Sequence, residues 1–217
     1  MAAACGDDGE PSGAAAGRTP SGSADPTEGD VEGSTAGTLD LEPATTTTTT
    51  PEDRALSELL PEEPPLVGFD RADDILGAGP LDLDAAAAAE ADVAAERERL
   101  EARGFRRGVS RAWIDPGEDV VYLAVYDFDD AEGATRYLED SGATLEERSA
   151  RRFDVPGVAG ATGYTTVEES EQGTFTAHAV AFTSGERWVL VLVGSPGSAR
   201  TEDDARAVAA AQAALLG

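Results

Sequence analysis

The side chains that most often carry covalent chemistry are scarce in this chain. It has one histidine, His178, one cysteine, Cys5, and no lysine in 217 residues. Lysine-based chemistry and a P-loop are therefore excluded, since both need the amine. A histidine-based zinc site lacks its further ligands. Carboxylates, hydroxyls and arginines remain as the groups that could act on a ligand.

His178 lies in the middle of a predicted strand, between Ala177 and Ala179. A histidine of this kind could serve as a base for one of the serines. No nucleophile-elbow sequence accompanies it, however, and that motif is what exposes a reactive serine in many hydrolases. We therefore predict a structural histidine and no catalytic residue.

Acidic residues crowd one short stretch, at Asp127, Asp129, Asp130 and Glu132. The spacing of an EF-hand fails here, because Glu132 takes the position where glycine must turn the loop. We predict a helix cap with solvated acids, and a charged turn at residues 168–171. No metal site and no cofactor site is predicted.

Five aromatic residues fall on predicted strands. Core packing accounts for them, but an aromatic-lined ligand groove would use the same residue types. The sequence leaves both interpretations open for Trp113, Tyr122, Tyr126, Tyr164 and Trp188.

Cys5 follows three alanines and precedes Gly6 and a strongly acidic stretch. This arrangement resembles a bacterial lipobox. The resemblance implies cleavage before Cys5, a diacylglycerol on its sulfur, and a protein held on the cell membrane facing outside the cytoplasm. Only four residues precede Cys5, so we expect the start codon to have been placed inside the signal peptide, with residues 1–5 as its remnant. The alternative is a cytoplasmic acidic protein that begins at Met1.

Residues 6–65 are predicted to be a disordered acidic tether. They contain the run Thr45–Thr50 and several prolines, with almost no aromatic or branched apolar residue to form a core. The formal net charge of the whole chain is -27. A field of that sign repels nucleic acid, so we expect the membrane to be contacted through the lipid on Cys5 alone.

Residues 66–217 are predicted to form one α+β domain. A helix is expected over residues 81–103, with Val93 and Leu100 facing inward and Glu96 solvated. A second helix should run from Asp129 to about Asp140 and stop at Gly142, and a third should follow a cap at Thr201. Alternating apolar patterns predict an antiparallel sheet of about five strands, with the helices mainly on one face.

The strands are expected near residues 107–114, 120–128, 163–168, 174–182 and 188–193. The strand from Val120 to Phe128 is apolar on both sides, so it should be central. The Val155–Gly157 turn, the predicted hairpin Phe175–Val193 and the alanine-rich last helix resemble uncharacterised domains of exported actinobacterial lipoproteins. That resemblance implies export but no activity.

The sequence therefore favours a lipid-anchored, non-enzymatic domain that binds an unknown protein or small-molecule ligand. An exported carboxylate-dependent hydrolase acting on cell-wall glycan is the alternative, because paired acids alone can cleave glycosidic bonds.

Overall fold

The folded region is built on one antiparallel sheet. The computed structural model describes residues 55–74, 77–147, 150–170, 173–197 and 199–217. Cys5 and residues 6–54 of the predicted tether lie outside the described residues. None of the helices in the described ranges is long and apolar enough to cross a membrane.

The sheet has eight strands, in the spatial order β1-β3-β4-β8-β7-β6-β5, with β2 also paired to β3. The strands are β1 Asp70–Arg71, β2 Pro80–Leu81, β3 Phe105–Ile114, β4 Val120–Phe128, β5 Arg151–Asp154, β6 Thr162–Ser170, β7 Gly173–Ser184 and β8 Arg187–Pro196. The helices are α1 Leu83–Ala87, α2 Val93–Ala102, α3 Ala131–Glu147 and α4 Glu202–Leu216. The antiparallel α+β prediction is confirmed, but the expectation of about five strands is wrong.

The three strands that the sequence did not predict, β1, β2 and β5, lack an alternation of apolar residues. β1 and β2 contribute two residues each, and β5 contributes four, of which only Phe153 is buried. Such short strands form because a neighbouring strand supplies hydrogen-bond partners, a condition that no local pattern reveals.

β4 is an interior strand of the sheet, paired with β3 on one side and β8 on the other, as its apolar pattern predicts. Leu123 and Val125 point to one side, which we call the back face, and Ala124 and Tyr126 point to the other, the front face. All four side chains are buried. Both faces of the sheet must therefore be covered.

Helix α4 covers the back face. Its N-cap Thr201 forms a capping box with Asp204, as the sequence of this helix predicts. Ala205, Val208 and Ala209 are buried in the same core as the valines of β4 and β8.

The segment before β1 also packs on the back face. Leu56 and Leu60 are 3% and 2% exposed. The Arg111 guanidinium donates to the carbonyl oxygens of Leu60, at 2.9 Å, and Pro61, at 2.5 Å. Burial lowers the pKa of Arg111. The packed region therefore extends further toward the N-terminus than the boundary predicted at Leu66.

Helices α1, α2 and α3 cover the front face, where Leu100 and Tyr137 join the core. Most of the helices given above thus share the front face, whereas α4 lies on the back face, so helices cover both faces of the sheet. The physical reason is that β4 and β8 are apolar on both sides, so each side needs its own layer.

The helix predicted over residues 81–103 is two helices. Asp82 caps α1, and Asp92 accepts a hydrogen bond from the Ala95 backbone to start α2. This second start turns Val93 outward, where it is 44% exposed instead of facing the core as predicted.

Helix α3 starts and ends later than predicted. Asp130 accepts the Gly133 N–H at 2.8 Å and serves as its cap in place of Asp129. Gly142 does not stop the helix. A Cβ at this position would lie 2.5 Å from the hydroxyl oxygen of Tyr164, so the glycine permits close packing against β6.

Candidate ligand-binding groove

A groove runs along the front face, between α3 and strands β6 to β8. It encloses about 490 Å³ and is lined mainly by apolar side chains. A volume of this size fits a small molecule. We call this feature the front groove.

The floor of the front groove is a row of alanines on β7. Ala177, Ala179 and Ala181 follow one another at alternate positions, so all three methyl groups point to the front face. Their cross-strand neighbours on β8 include Leu190 and Leu192, which are far larger. The short side chains leave the space that the leucines border.

The wall facing the alanine row comes from one stripe of α3. Tyr137, Ser141, Thr144 and Leu145 recur at helical spacing and line the groove together. The Ser141 hydroxyl donates to the Leu138 carbonyl, and the Thr144 hydroxyl donates to the Asp140 carbonyl. Because their donors are satisfied inside the helix, these two residues add little polarity to the wall.

An aromatic cluster contributes Trp188 and Tyr137 to the lining of the groove. The Trp188 ring lies 4.9 Å from the Tyr126 ring and 5.0 Å from the Tyr137 ring, measured between centroids. These separations are within the range of favourable aromatic pairs. The indole N–H of Trp188 is buried and has no acceptor within the described part of the chain.

Glu96 is buried beneath this cluster, at 2% exposed, although the sequence predicted a solvated residue. Its carboxylate accepts hydrogen bonds from the Tyr137 hydroxyl and from Arg99, both at 2.6 Å. Burial raises the pKa of Tyr137 well above its usual range, so the phenol stays neutral. The sequence offered one signal that Glu96 has a partner, its spacing from Arg99, since residues three apart on a helix can form an ion pair.

Three charged residues are also part of the lining. Glu90 and Arg99 come from the segment after α1 and from α2, and Glu168 comes from β6. The lining is therefore mainly apolar with a few polar and charged positions, which suits binding of a mainly apolar molecule.

This architecture has a solved counterpart. The extracellular domain of PknH from Mycobacterium tuberculosis is similar with a TM-score of 0.51 and 14% sequence identity, covering 75% of this chain and 96% of that chain. At this identity the likeness concerns the fold alone. A structure from Bacteroides thetaiotaomicron VPI-5482 has a TM-score of 0.34 and 15% identity over 46% of this chain and 37% of its own, too little to support an argument. Neither a protein-family model nor a curated protein sequence matches the chain.

His178 lies on the back face, away from the front groove. Its Nδ1 is 3.0 Å from the Thr165 hydroxyl and its Nε2 is 3.1 Å from the Arg200 carbonyl oxygen. Both ring nitrogens have partners and the residue is 6% exposed. This geometry suits a structural role for the histidine.

The predicted aromatic candidates are divided between the two faces. Trp188 lines the front groove, and Tyr126 packs behind it. Trp113 is fully buried on the back face, so it cannot line this groove. Tyr137, which does line it, is not among the five aromatic residues that the sequence singled out.

The acidic candidates do not converge. The Asp127 side chain is within reach of arginines on neighbouring strands, whereas Asp130 caps α3. Within the described ranges, no three His, Cys, Asp or Glu side chains are placed to hold a metal ion together.

Proposed function

We propose that this protein is a lipid-anchored, extracytoplasmic binding module that holds an apolar small molecule in the front groove. The observation that carries the proposal is the row of three alanines, which opens a channel bordered by leucines and tryptophan on an otherwise densely packed sheet. The position outside the cytoplasm is supported by the extracellular origin of the PknH domain and by the resemblance of the residues around Cys5 to a lipobox.

The two tryptophans allow a direct test, because they lie on opposite faces of the sheet. In W113F the remaining indole is Trp188, which lines the groove, and in W188F it is Trp113 on the back face. The probe is bromoundecanol, whose bromine quenches indole fluorescence at short range, with undecanol as the non-quenching control. We expect bromoundecanol to quench W113F strongly and W188F weakly.

A matched pair of variants tests whether the probe binds in the groove: one fills the groove and the other makes the same change elsewhere. Adding A179L to W113F places a larger side chain on the groove floor and should abolish saturable quenching. Adding A210L makes the same change at an exposed position of α4 and should leave quenching intact. Circular dichroism confirms that both variants fold. Equal quenching in A179L and A210L would show that the probe binds elsewhere.

The hydrolase alternative rests on Glu90 and Glu168, which both line the front groove. Two carboxylates across a groove are the minimum for glycosidic cleavage. Release of reducing sugar from cell-wall glycan, lost in both E90Q and E168Q, would replace the binding proposal by an enzymatic one. We expect no release by the unaltered protein.

A further inference from the structure

The indole N–H of Trp188 is a buried hydrogen-bond donor in a residue that lines the front groove. The side chain is 5% exposed, and its N–H has no acceptor within the described residues. An indole can only donate, so no other polar atom of this side chain can compensate. Buried donors in native proteins are hydrogen-bonded in the large majority of cases, and an exception calls for an explanation.

Trp188 stands at one end of the row of side chains that β8 contributes to the groove. Trp188, Leu190 and Leu192 lie at alternate positions of the strand and share its front face. Leu190 is the register partner of Ala181, whereas Trp188 is the partner of Thr183, one step beyond the alanine row. Along β8 the apolar lining therefore leads to the residue that carries the donor.

Two buried tyrosine rings hold the indole in position. The Tyr137 ring meets the Trp188 ring at 86°, and the Tyr126 ring meets it at 46°. Both tyrosines are at most 5% exposed. Packing of this kind restricts the rotamers of the indole. We therefore expect the N–H to keep its direction when a molecule enters the groove.

The hydroxyl groups of the α3 wall are already engaged as donors. The Tyr137 hydroxyl donates to a carboxylate, and those of Ser141 and Thr144 donate to helix carbonyls. A ligand oxygen at this wall would have to compete with these bonds. At Trp188 it meets a donor that no acceptor occupies in the described ranges.

The surroundings of Trp188 favour a neutral oxygen over an anionic one. The Glu96 carboxylate is 2% exposed and accepts from the hydroxyl of Tyr137, whose ring contacts Trp188. Arg99 already donates to the same carboxylate. A second anion beside Trp188 would be repelled by Glu96, and burial of a charge is far more costly than burial of a neutral oxygen.

We propose that the front groove selects apolar molecules that carry an uncharged acceptor oxygen, as in a ketone or an ester, and that the Trp188 N–H donates to this oxygen. The inference rests on the proposed function, because it assigns the polar group of a ligand held in that groove. The alanine row and the leucines of β8 contact the hydrocarbon part. Trp188 is then the residue that determines specificity.

The test compares methyl hexyl ketone with octane, which has the same number of carbons and no acceptor. The measurement is the indole N–H signal in NMR spectra of the ¹⁵N-labelled full chain, which contains two tryptophans. We expect the ketone to shift the Trp188 indole proton downfield, and octane to shift it much less. The Trp113 signal, assigned with W113F, is the internal control, because Trp113 is fully buried in the back-face core.

A matched pair of tryptophan variants tests the affinity. W188F should weaken binding of the ketone about five-fold or more, as loss of a hydrogen bond does, and should change binding of octane by less than about two-fold. W113F makes the same chemical change on the back face and should leave both affinities unchanged. Headspace gas chromatography measures the depletion of each volatile probe. The NMR comparison needs no change at Trp188, so the test stays decisive if W188F unfolds.

The outcomes separate this inference from the proposed function. Ketone binding that A179L abolishes, with a Trp188 signal that responds equally to ketone and octane, would overturn the inference and leave the groove function standing. Failure of both probes to bind would contradict the groove function and this inference with it. Octanoate, the anionic counterpart, should bind more weakly than the ketone, and tighter binding of octanoate would disprove the preference for an uncharged oxygen.

Discussion

The two hydrogen-bond partners of His178 determine which ring nitrogen carries the proton in the neutral side chain. The Arg200 carbonyl oxygen can only accept a hydrogen bond, so the nitrogen beside it, Nε2, must carry the proton. In the neutral ring Nδ1 then holds a lone pair next to the Thr165 hydroxyl. The Thr165 oxygen is also 3.3 Å from the Glu202 carboxylate, so the imidazole joins two strands to the start of α4.

Because the chain contains a single histidine, its tautomer can be observed directly. At a pH where the ring is neutral, ¹⁵N NMR should show the Nε2–H form. T165V should keep this tautomer while lowering the free energy of unfolding by about 1 kcal/mol, the usual value of one hydrogen bond. T174V, at an exposed position of β7, is the control. An Nδ1–H ring would mean that the Arg200 contact is not a hydrogen bond.

At the scale of elements, the segment from Ala55 to Leu60 behaves as part of the domain. Leu56 and Leu60 fill the back-face core, and the Gln212 side chain on α4 donates to the Leu59 carbonyl at 2.8 Å. Arg111 on β3 binds the same segment from its other side. Two elements distant in sequence therefore hold this short segment in place.

Replacing one leucine tests this packing without shortening the chain. L60A should lower the free energy of unfolding by about 2–5 kcal/mol, the range for a buried Leu→Ala change. L215A removes the same atoms from a side chain that is 53% exposed. It should change the free energy of unfolding by less than about 0.5 kcal/mol. The measurement is urea unfolding of the full chain. Equal effects of the two changes would show that residues 55–60 contribute nothing to the core.

Sequence patterns predicted the elements whose burial is regular. The apolar run of β4, the β7–β8 hairpin and the Thr201 cap were found because each has a local signal. Glu96 and Gly142 were misassigned because their roles depend on contacts from other elements, the hydroxyl groups of Tyr137 and Tyr164. The front groove could not be predicted either, since an alanine on a strand indicates burial and only the facing helix shows whether space is left.

At the scale of the whole molecule, the domain is a sheet with two separate layers of cover. The front layer borders the groove, and the back layer contains α4 and residues 55–60. An apolar ligand would be held on one side while the chain enters the fold on the other. This separation is compatible with a tether before Ala55, where the proposed anchor at Cys5 would lie.

The anchor itself is tested by expression of the gene with its upstream region in a bacterial host. We expect the unaltered protein in the membrane fraction with acyl chains on Cys5, because two or more chains give stable attachment. C5S should move the protein to the soluble fraction and leave the groove assay unchanged. An unmodified Cys5 in a soluble protein would disprove the anchor while leaving the groove proposal intact.

The position of residues 55–60 also determines how the domain responds to mechanical load. Tension on the chain before Ala55 enters at the back face and pulls first on Leu56 and Leu60, against the hydrogen bonds from Arg111 and Gln212. Because this segment precedes β1 in the chain, its contacts would bear such a load before the strands do. The walls of the front groove, which α3 and strands β6 to β8 supply, lie outside that line of force.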